Sequence, residues 1–328
     1  MTAFRWVLTA FLLSAPSIAL AQTCSWTVPN VNFGSVDTLS GANTDVTAQV
    51  SINCSGFTNL ILLGNQVRLC PNIGTGSAGA TASARQMDHL GNPAEELNYQ
   101  FYDQSPPTVW GSNYPWANPT GPPTLTLTLN LSGAGSLTRT LYGRVFGGQS
   151  TALPGSYMTT FSGTDAQLRY QQCSSLLTCP ACSTSLSGSS NTSFTASATV
   201  ADNCLISATN VNFGTEGVLN ANVDATNTIS ITCTRGTAWI ASLNAGSGAG
   251  GTVALRRMTG PNAGTIGYTI YRNAARTEVW GDGTLGTFTV TGTGTGIVES
   301  ATGYARVPPQ STPGSGTYMD TVILTVTY

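Results

Sequence analysis

Apolar and polar residues alternate with a period of two in short blocks along the whole chain. Residues 46–53 alternate, and so do residues 226–232. Residues 124–131 put Leu125, Leu127, Leu129 and Leu131 on one side, with Thr and Asn on the other. Residues 287–290 repeat the pattern. Residues 322–328 put Val322, Leu324, Val326 and Tyr328 on one side. Gly, Pro and Asn separate the blocks. Such blocks predict short strands with one buried face each, and no stretch carries a helical period. The expected fold class is all-β, in sandwiches.

The chain also repeats itself. Val31-Asn32-Phe33-Gly34 recurs as Val211-Asn212-Phe213-Gly214, and Cys24 and Cys204 precede the two copies at the same distance. Cys54 and Cys233 follow them. Asn72-Ile73-Gly74-Thr75-Gly76 matches Asn244-Ala245-Gly246-Ser247-Gly248, which aligns Cys70 with Ser242. Arg85-Gln86-Met87 matches Arg256-Arg257-Met258. Trp110-Gly111 matches Trp280-Gly281, and Tyr142-Gly143-Arg144-Val145 matches Tyr304-Ala305-Arg306-Val307. Pro154-Gly155 with Tyr157-Met158 matches Pro313-Gly314 with Tyr318-Met319. An ordered repeat of this kind predicts two homologous domains, 22–182 and 204–328, joined by residues 183–203. Disulfides Cys24–Cys54 and Cys204–Cys233 would each staple a first strand to the end of a second, contributing roughly 3 kcal/mol.

Composition narrows the compartment and the chemistry. Residues 1–21 read as a secretory signal peptide, with Arg5, a short apolar run over residues 6–13, and Ala19-Leu20-Ala21 before a cleavage at Gln22. Eight cysteines in an exported chain read as disulfides. Cys70, Cys173, Cys179 and Cys182 belong to the first copy or its trailing edge and allow three pairings. All 12 basic residues are arginine, which removes lysine chemistry, and the slightly negative balance argues against nucleic acid as a partner. His89 is the single histidine and there is a single CxxC, which argues against a zinc site, and no Ser-His-Asp set can be placed from the sequence. Glu95-Glu96 reads as a solvated pair, and Gly292-Thr293-Gly294-Thr295-Gly296 lacks the lysine of a phosphate loop. No cofactor and no catalysis are expected.

In combination, Cys…Val-Asn-Phe-Gly…Cys, Arg-Gln-Met or Arg-Arg-Met, Trp-Gly, Tyr-Gly-Arg-Val and Pro-Gly-Ser-Tyr-Met resemble the spore coat protein U domain, twice over. That domain occurs in pilins of archaic, Csu-type chaperone–usher pili. The resemblance implies tandem immunoglobulin-like β-sandwiches, at least the second lacking its last strand. A periplasmic chaperone would fill the gap first, and the extension of an adjacent pilin would replace it after passage through an outer-membrane usher. Two domains imply a tip adhesin, exported to the cell surface and serving attachment and biofilm formation on an abiotic or host surface. The competing expectation is a structural spore-coat or outer-surface protein without specific adhesion. One alternating segment has the form of a donor strand, with Phe194, Ala196, Ala198 and Val200 on one side, ahead of Cys204. Only Gln22 and Thr23 would stand ahead of Cys24 in the mature chain. The first domain would then accept a strand, from this segment or from its own last strand, and donate none.

Subtracting one copy from the other locates the expected adhesive surface. The first copy has eight extra residues between Cys54 and Met87 and eight between Trp110 and Tyr142. The first excess includes Leu60, Ile61 and Leu62. The second includes Tyr114 and Trp116 among four prolines, which stiffen a loop. Phe146 and Leu153 lie in a third, slightly longer loop. These side chains either form one apolar contact patch at the distal end or pack back onto their own domain. Trp110, Tyr142, Arg144 and Met87 recur in both copies and read as packing residues.

Overall fold

The computed structural model describes residues 22–58, 65–116, 120–174 and 178–328, so the expected signal peptide and Leu60, Ile61 and Leu62 lie outside the described residues. The first domain comprises β1 (Thr23–Thr27), β2 (Val31–Val36), β3 (Thr44–Ser55), β4 (Gln66–Ile73), β5 (Arg85–His89) and β6 (Asn92–Asp103). It continues with β7 (Leu125–Thr128), β8 (Gly135–Val145), β9 (Gly155–Phe161), β10 (Ala166–Cys173), β11 (Gly188–Asn191) and β12 (Phe194–Val200). An eight-stranded sheet, β1-β3-β8-β6-β5-β9-β12-β2, faces a four-stranded sheet, β11-β10-β4-β7. Alternate side chains of the two sheets make one core, from Trp26 and Ile52 through Tyr99, Phe101 and Trp110 to Phe161 and Leu168.

The second domain comprises β13 (Cys204–Ala208), β14 (Val223–Cys233), β15 (Ala238–Leu243), β16 (Arg256–Thr259), β17 (Thr265–Tyr271), β18 (Val290–Thr293), β19 (Glu299–Val307) and β20 (Leu324–Thr327). Its sheets are β13-β14-β19-β17-β16 and β18-β15-β20, around a smaller core that includes Ile231, Trp239, Ile270 and Trp280. Three positions, Leu131, Phe288 and Tyr328, depart from the alternation. Leu131 is 81% exposed, because β7 ends at Thr128 and Asn130 closes a turn onto Ala134. Phe288 faces outward while Thr287 is buried, because β18 begins only at Val290; the Phe288 ring lies 4.6 Å from the Arg272 guanidinium.

Both cores are organised around a buried arginine. Arg85 donates to the carbonyls of Gly74 (2.6 Å), Ile73 (2.6 Å) and Trp110 (2.7 Å), and to Gln100. Burial pulls it down to about 10, still charged at neutral pH. Arg256 makes the three matching carbonyl bonds, to Asn244, Leu243 and Trp280. The indoles of Trp110 and Trp280 donate to Pro71 and Ala241. These matched bonds correct the sequence alignment by two residues: Gly74 corresponds to Asn244, and Cys70 to Ile240 rather than Ser242. The glycines that turn with positive φ, Gly76 (+77°) and Gly246 (+78°), then coincide.

Cys24 pairs with Cys54 and Cys204 with Cys233, each directly across the β1–β3 or β13–β14 ladder. The remaining bonds are Cys70–Cys182 and Cys173–Cys179, so the two cysteines of Cys179-Pro180-Ala181-Cys182 take different partners. Residues 183–203 are not a free linker. β11 and β12 belong to the sheets of the first domain, and only residues 201–203 separate β12 from β13. The joint is tied by Asp202 accepting from Thr237 (2.6 Å), by Thr234 N–H donating to Asn203 O (2.9 Å), and by an Arg235–Glu95 ion pair.

Candidate functional site

A strand placed inside a sheet has a neighbour on each side to pair its backbone groups. β12 has both. It runs antiparallel to β9, from Phe194↔Phe161 to Val200↔Gly155, and parallel to β2, from Ala196↔Val31 to Val200↔Val36. Phe194, Ala196, Ala198 and Val200 are all at most 3% exposed. The Phe194 ring stacks on Phe161 at 4.4 Å and meets Phe101 at 6.1 Å. Burying Phe194 and Val200 contributes roughly 1.5–3 kcal/mol each. Ala196 and Ala198 are buried in the same core, which also holds the edge-on Phe33–Tyr99 pair at 5.8 Å. Of the two ways left open for completing the first domain, the structure uses the interdomain segment.

The corresponding place in the second domain is a groove. Residues 211–216, the counterpart of β2, form no strand, and residues 317–322, the counterpart of β9, make only a bridge from Met319 to Thr259. Between them runs a cleft of about 600 Å³, continuing into one of about 560 Å³; Val211, Phe213, Met258 and Tyr318 line both. Tyr268, Ile270, Val322 and Leu324 also line the second cleft. Val31, Phe33, Met87 and Tyr157 are buried in the first domain, whereas Val211, Phe213, Met258 and Tyr318 are half-buried. Asp320 stands where the first domain has Thr159 and fixes the rim: it accepts from Ser247 N–H (2.6 Å), Gly248 N–H (3.1 Å) and Tyr268 OH (2.7 Å). Burial and this carboxylate push the Tyr268 phenol well above its usual range.

Among the described residues, those expected to form an adhesive patch do not converge. β3 and β8 pair from Thr44↔Val145 to Cys54↔Gly135, a length of roughly 33 Å. Thr58 and Asn65, which bracket residues 59–64, lie at the Cys54 end, where Phe57 N–H bonds Gly133 O and Leu129 N–H bonds Asn65 O. Phe146 and Leu153 lie beyond the other end. There Arg235 donates to Thr151 O, and a Cβ placed on Gly236 would touch Leu153, so this loop is committed to the joint between domains. Tyr114 and Trp116 stand beside the Ile73 end of β4. Tyr114 OH donates to Gln167, and the Trp116 ring covers the Arg85 guanidinium at 4.5 Å. They pack onto their own domain because a buried arginine needs a cover on its open side.

The other singled-out groups have structural partners. His89 Nε2 bonds Pro154 O (3.0 Å), Nδ1 accepts from Gly91 N–H (3.0 Å), and the ring packs on Tyr157. Glu95, expected in solvent, pairs with Arg235, and Glu96 accepts from Gln86. Among the described residues no three His, Cys, Asp or Glu side chains could hold a metal ion. The joint went unseen in the sequence, although the extra length of residues 146–153 marked the loop that builds it.

Two tandem sandwiches, one filled by an internal strand and one with an open groove, define a class of strand-accepting β-proteins. The chain belongs to the Spore Coat Protein U domain family, whose profile matches residues 9–164 and 190–325. In overall fold it is similar to a chain of the CsuC–CsuE chaperone–tip adhesion subunit pre-assembly complex of archaic chaperone–usher Csu pili from Acinetobacter baumannii. That likeness has a TM-score of 0.53 at 16% identity, over 93% of this chain and 100% of that one. A weaker likeness, TM-score 0.33 at 12% identity over 94% of each chain, is to the CupB6 tip adhesin from Pseudomonas aeruginosa. No curated protein sequence matches the chain.

Proposed function

We propose that this chain is a non-enzymatic subunit of a chaperone–usher pilus, placed at its distal tip, where it attaches the cell to a surface and so supports biofilm formation. The observation that carries the reading is the pairing of one filled and one open sandwich. The groove between residues 211–216 and 317–322 accepts a β-strand, first from a periplasmic chaperone and then, at the outer-membrane usher, from the extension of the adjacent pilin. The segment of donor form, β12, is consumed inside the first domain. A subunit that accepts a strand while its own segment of donor form is used internally suits the end of a fibre. Its relatives in fold include a tip subunit held by its chaperone, which agrees with this order of partners.

Attachment is assigned to the end of the first domain opposite the joint. Exposed Leu131 stands there, and residues 59–64, with Leu60, Ile61 and Leu62, begin and end there. An exposed apolar side chain beside an apolar stretch of sequence favours an apolar or partly apolar surface, and many fibres per cell multiply a weak contact. The test is immunogold labelling and attachment of piliated cells carrying Ile61→Ser with Leu131→Ser. Label at one fibre end, with attachment reduced severalfold and fibre number unchanged, is the expected result. Label along the whole cell envelope without fibres supports the coat-protein reading instead. Unchanged attachment removes this end of the domain from adhesion.

A further inference from the structure

Among the exposed apolar side chains of the second domain, two stand along one edge away from the groove. Ile206 on β13 is 43% exposed, and Tyr328, just after β20, is 55% exposed. Their counterparts in the first domain are Trp26, 4% exposed, and Tyr170, 7% exposed. The equivalence follows from register. Trp26 lies opposite Ile52 as Ile206 lies opposite Ile231, each two residues after the cross-linked cysteine. Pro71 and Ala241, which accept the two buried indole N–H groups, pair with Leu168 and Val326. Two residues further along stand Tyr170 and Tyr328.

What covers Trp26 and Tyr170 is the run just before β12. β11 pairs with the outer edge of β10, from Tyr170↔Gly188 to Gln167↔Asn191, and lies beside β1. Leu186, buried, precedes it, and Arg169 holds this run by donating to Thr184 O and Leu186 O. Gly188 lies flat on the Tyr170 ring, where an added Cβ would come within 2.2 Å of it. The chain then crosses from one sheet to the other through Thr192 and Ser193 and enters β12. One continuous run, residues 186–200, therefore closes both sheets of the first domain. In the second domain, among the described residues, no strand pairs with the outer edge of β20.

We infer that the second domain is open along two edges and is completed by a single donor that contributes two strands. This rests on the donor–acceptor reading above. The donor is an extended segment of another pilus subunit, because this chain's own run is already used inside its first domain. It carries a glycine opposite Tyr328 and, at the Gly188-to-Phe194 spacing, an alternating apolar block that fills the groove. A single alternating strand can slip by two residues and still present the same face to the core. The glycine–tyrosine contact on the far sheet removes that freedom, so the second edge fixes the register of the first.

The test uses the full chain with copies of its own residues appended after Tyr328 through a flexible linker, which supplies the strand at high effective concentration. One variant carries residues 186–200, one carries residues 194–200, and one carries residues 186–200 with Gly188→Leu in the appended copy. Hydrogen exchange is followed separately in the groove, at residues 211–213 and 317–322, and along β20 with Ile206. Both unaltered extensions should slow exchange in the groove. Only the longer one should slow β20, by tenfold or more, and the Gly188→Leu copy should lose that second protection while keeping the first. Equal protection of β20 by the short and long extensions, or none by either with the groove protected, overturns the two-edge inference alone. No protection of the groove by any extension overturns the acceptor reading beneath it.

Discussion

Phe33 and Phe213 occupy the same step of the same fold, yet Phe33 is buried and Phe213 lines an open cleft. The stretches that carry them differ little: both hold Val-Asn-Phe-Gly, and in both the asparagine side chain accepts from the glycine N–H, at 2.8 Å and 2.9 Å. One becomes strand β2 and the other remains irregular. The difference is β12, which offers its backbone groups to Val31–Val36 and has no counterpart beside residues 211–216. Strand formation here is decided by the neighbour across the ladder rather than by local propensity, as expected where strand preference depends on context.

The comparison breaks most sharply at β12 itself. Ala198→Asp puts a carboxylate into the first core with no cation to meet it. It should cost about 3–5 kcal/mol and abolish the first domain's cooperative transition in calorimetry, leaving the second domain's nearly unchanged. Loss of both transitions would show that the domains do not fold as separate units.

Truncating the matched phenylalanines should give unequal effects. Phe33→Ala should destabilise the first domain by about 3–5 kcal/mol, as for other buried aromatic side chains. Phe213→Ala should cost well under half of that in the free chain, because water already reaches the ring. The two costs should converge once a strand fills the groove. Equal costs in the free chain, by denaturant unfolding, would mean that the groove is closed.

The smallest effect should be shared by both domains. Asp45 with Arg144 and Asp224 with Arg306 are equivalent two-point ion pairs, at 2.7 and 2.8 Å in each. In each the arginine holds the carboxyl below its usual range. A depressed carboxyl stabilises the fold above its unfolded value near 4, and that contribution is lost as pH falls through the folded value. Lowering the pH from 5 to 2.5 should therefore reduce the melting temperature of both domains. Asp45→Asn should blunt the decline in the first domain by a small margin, since exposed pairs contribute little. A decline confined to one domain would separate pairs that the fold makes equivalent.

Much of this was legible in the sequence, for reasons particular residues show. Trp110 and Trp280 recur because each indole must donate to a buried carbonyl, and Arg85 and Arg256 recur because each collects three. Cys24 and Cys54 announce a ladder that places them opposite each other. Longer-range choices were not legible. Nothing local to Phe194 says which sheet receives it, since any groove of alternating depth suits the same pattern. Trp116 looks like a binding residue until the charge it covers is seen. Leu153 looks like a distal loop until Arg235, 82 residues later, docks beside it. The two-residue shift of the Asn-x-Gly-x-Gly match arose because asparagine and glycine recur in turns without marking the same step.

The central claim is that the first domain is complete and the second is open in the same unpartnered chain. Hydrogen exchange of the whole protein, resolved by peptide, reads both at once. Residues 31–36 and 155–161 should exchange with the slow rates of the first domain's core. Residues 211–216 and 313–321 should exchange orders of magnitude faster, and slow markedly only when a strand is supplied. Equal, slow exchange of both pairs of segments in the unpartnered chain would contradict the account.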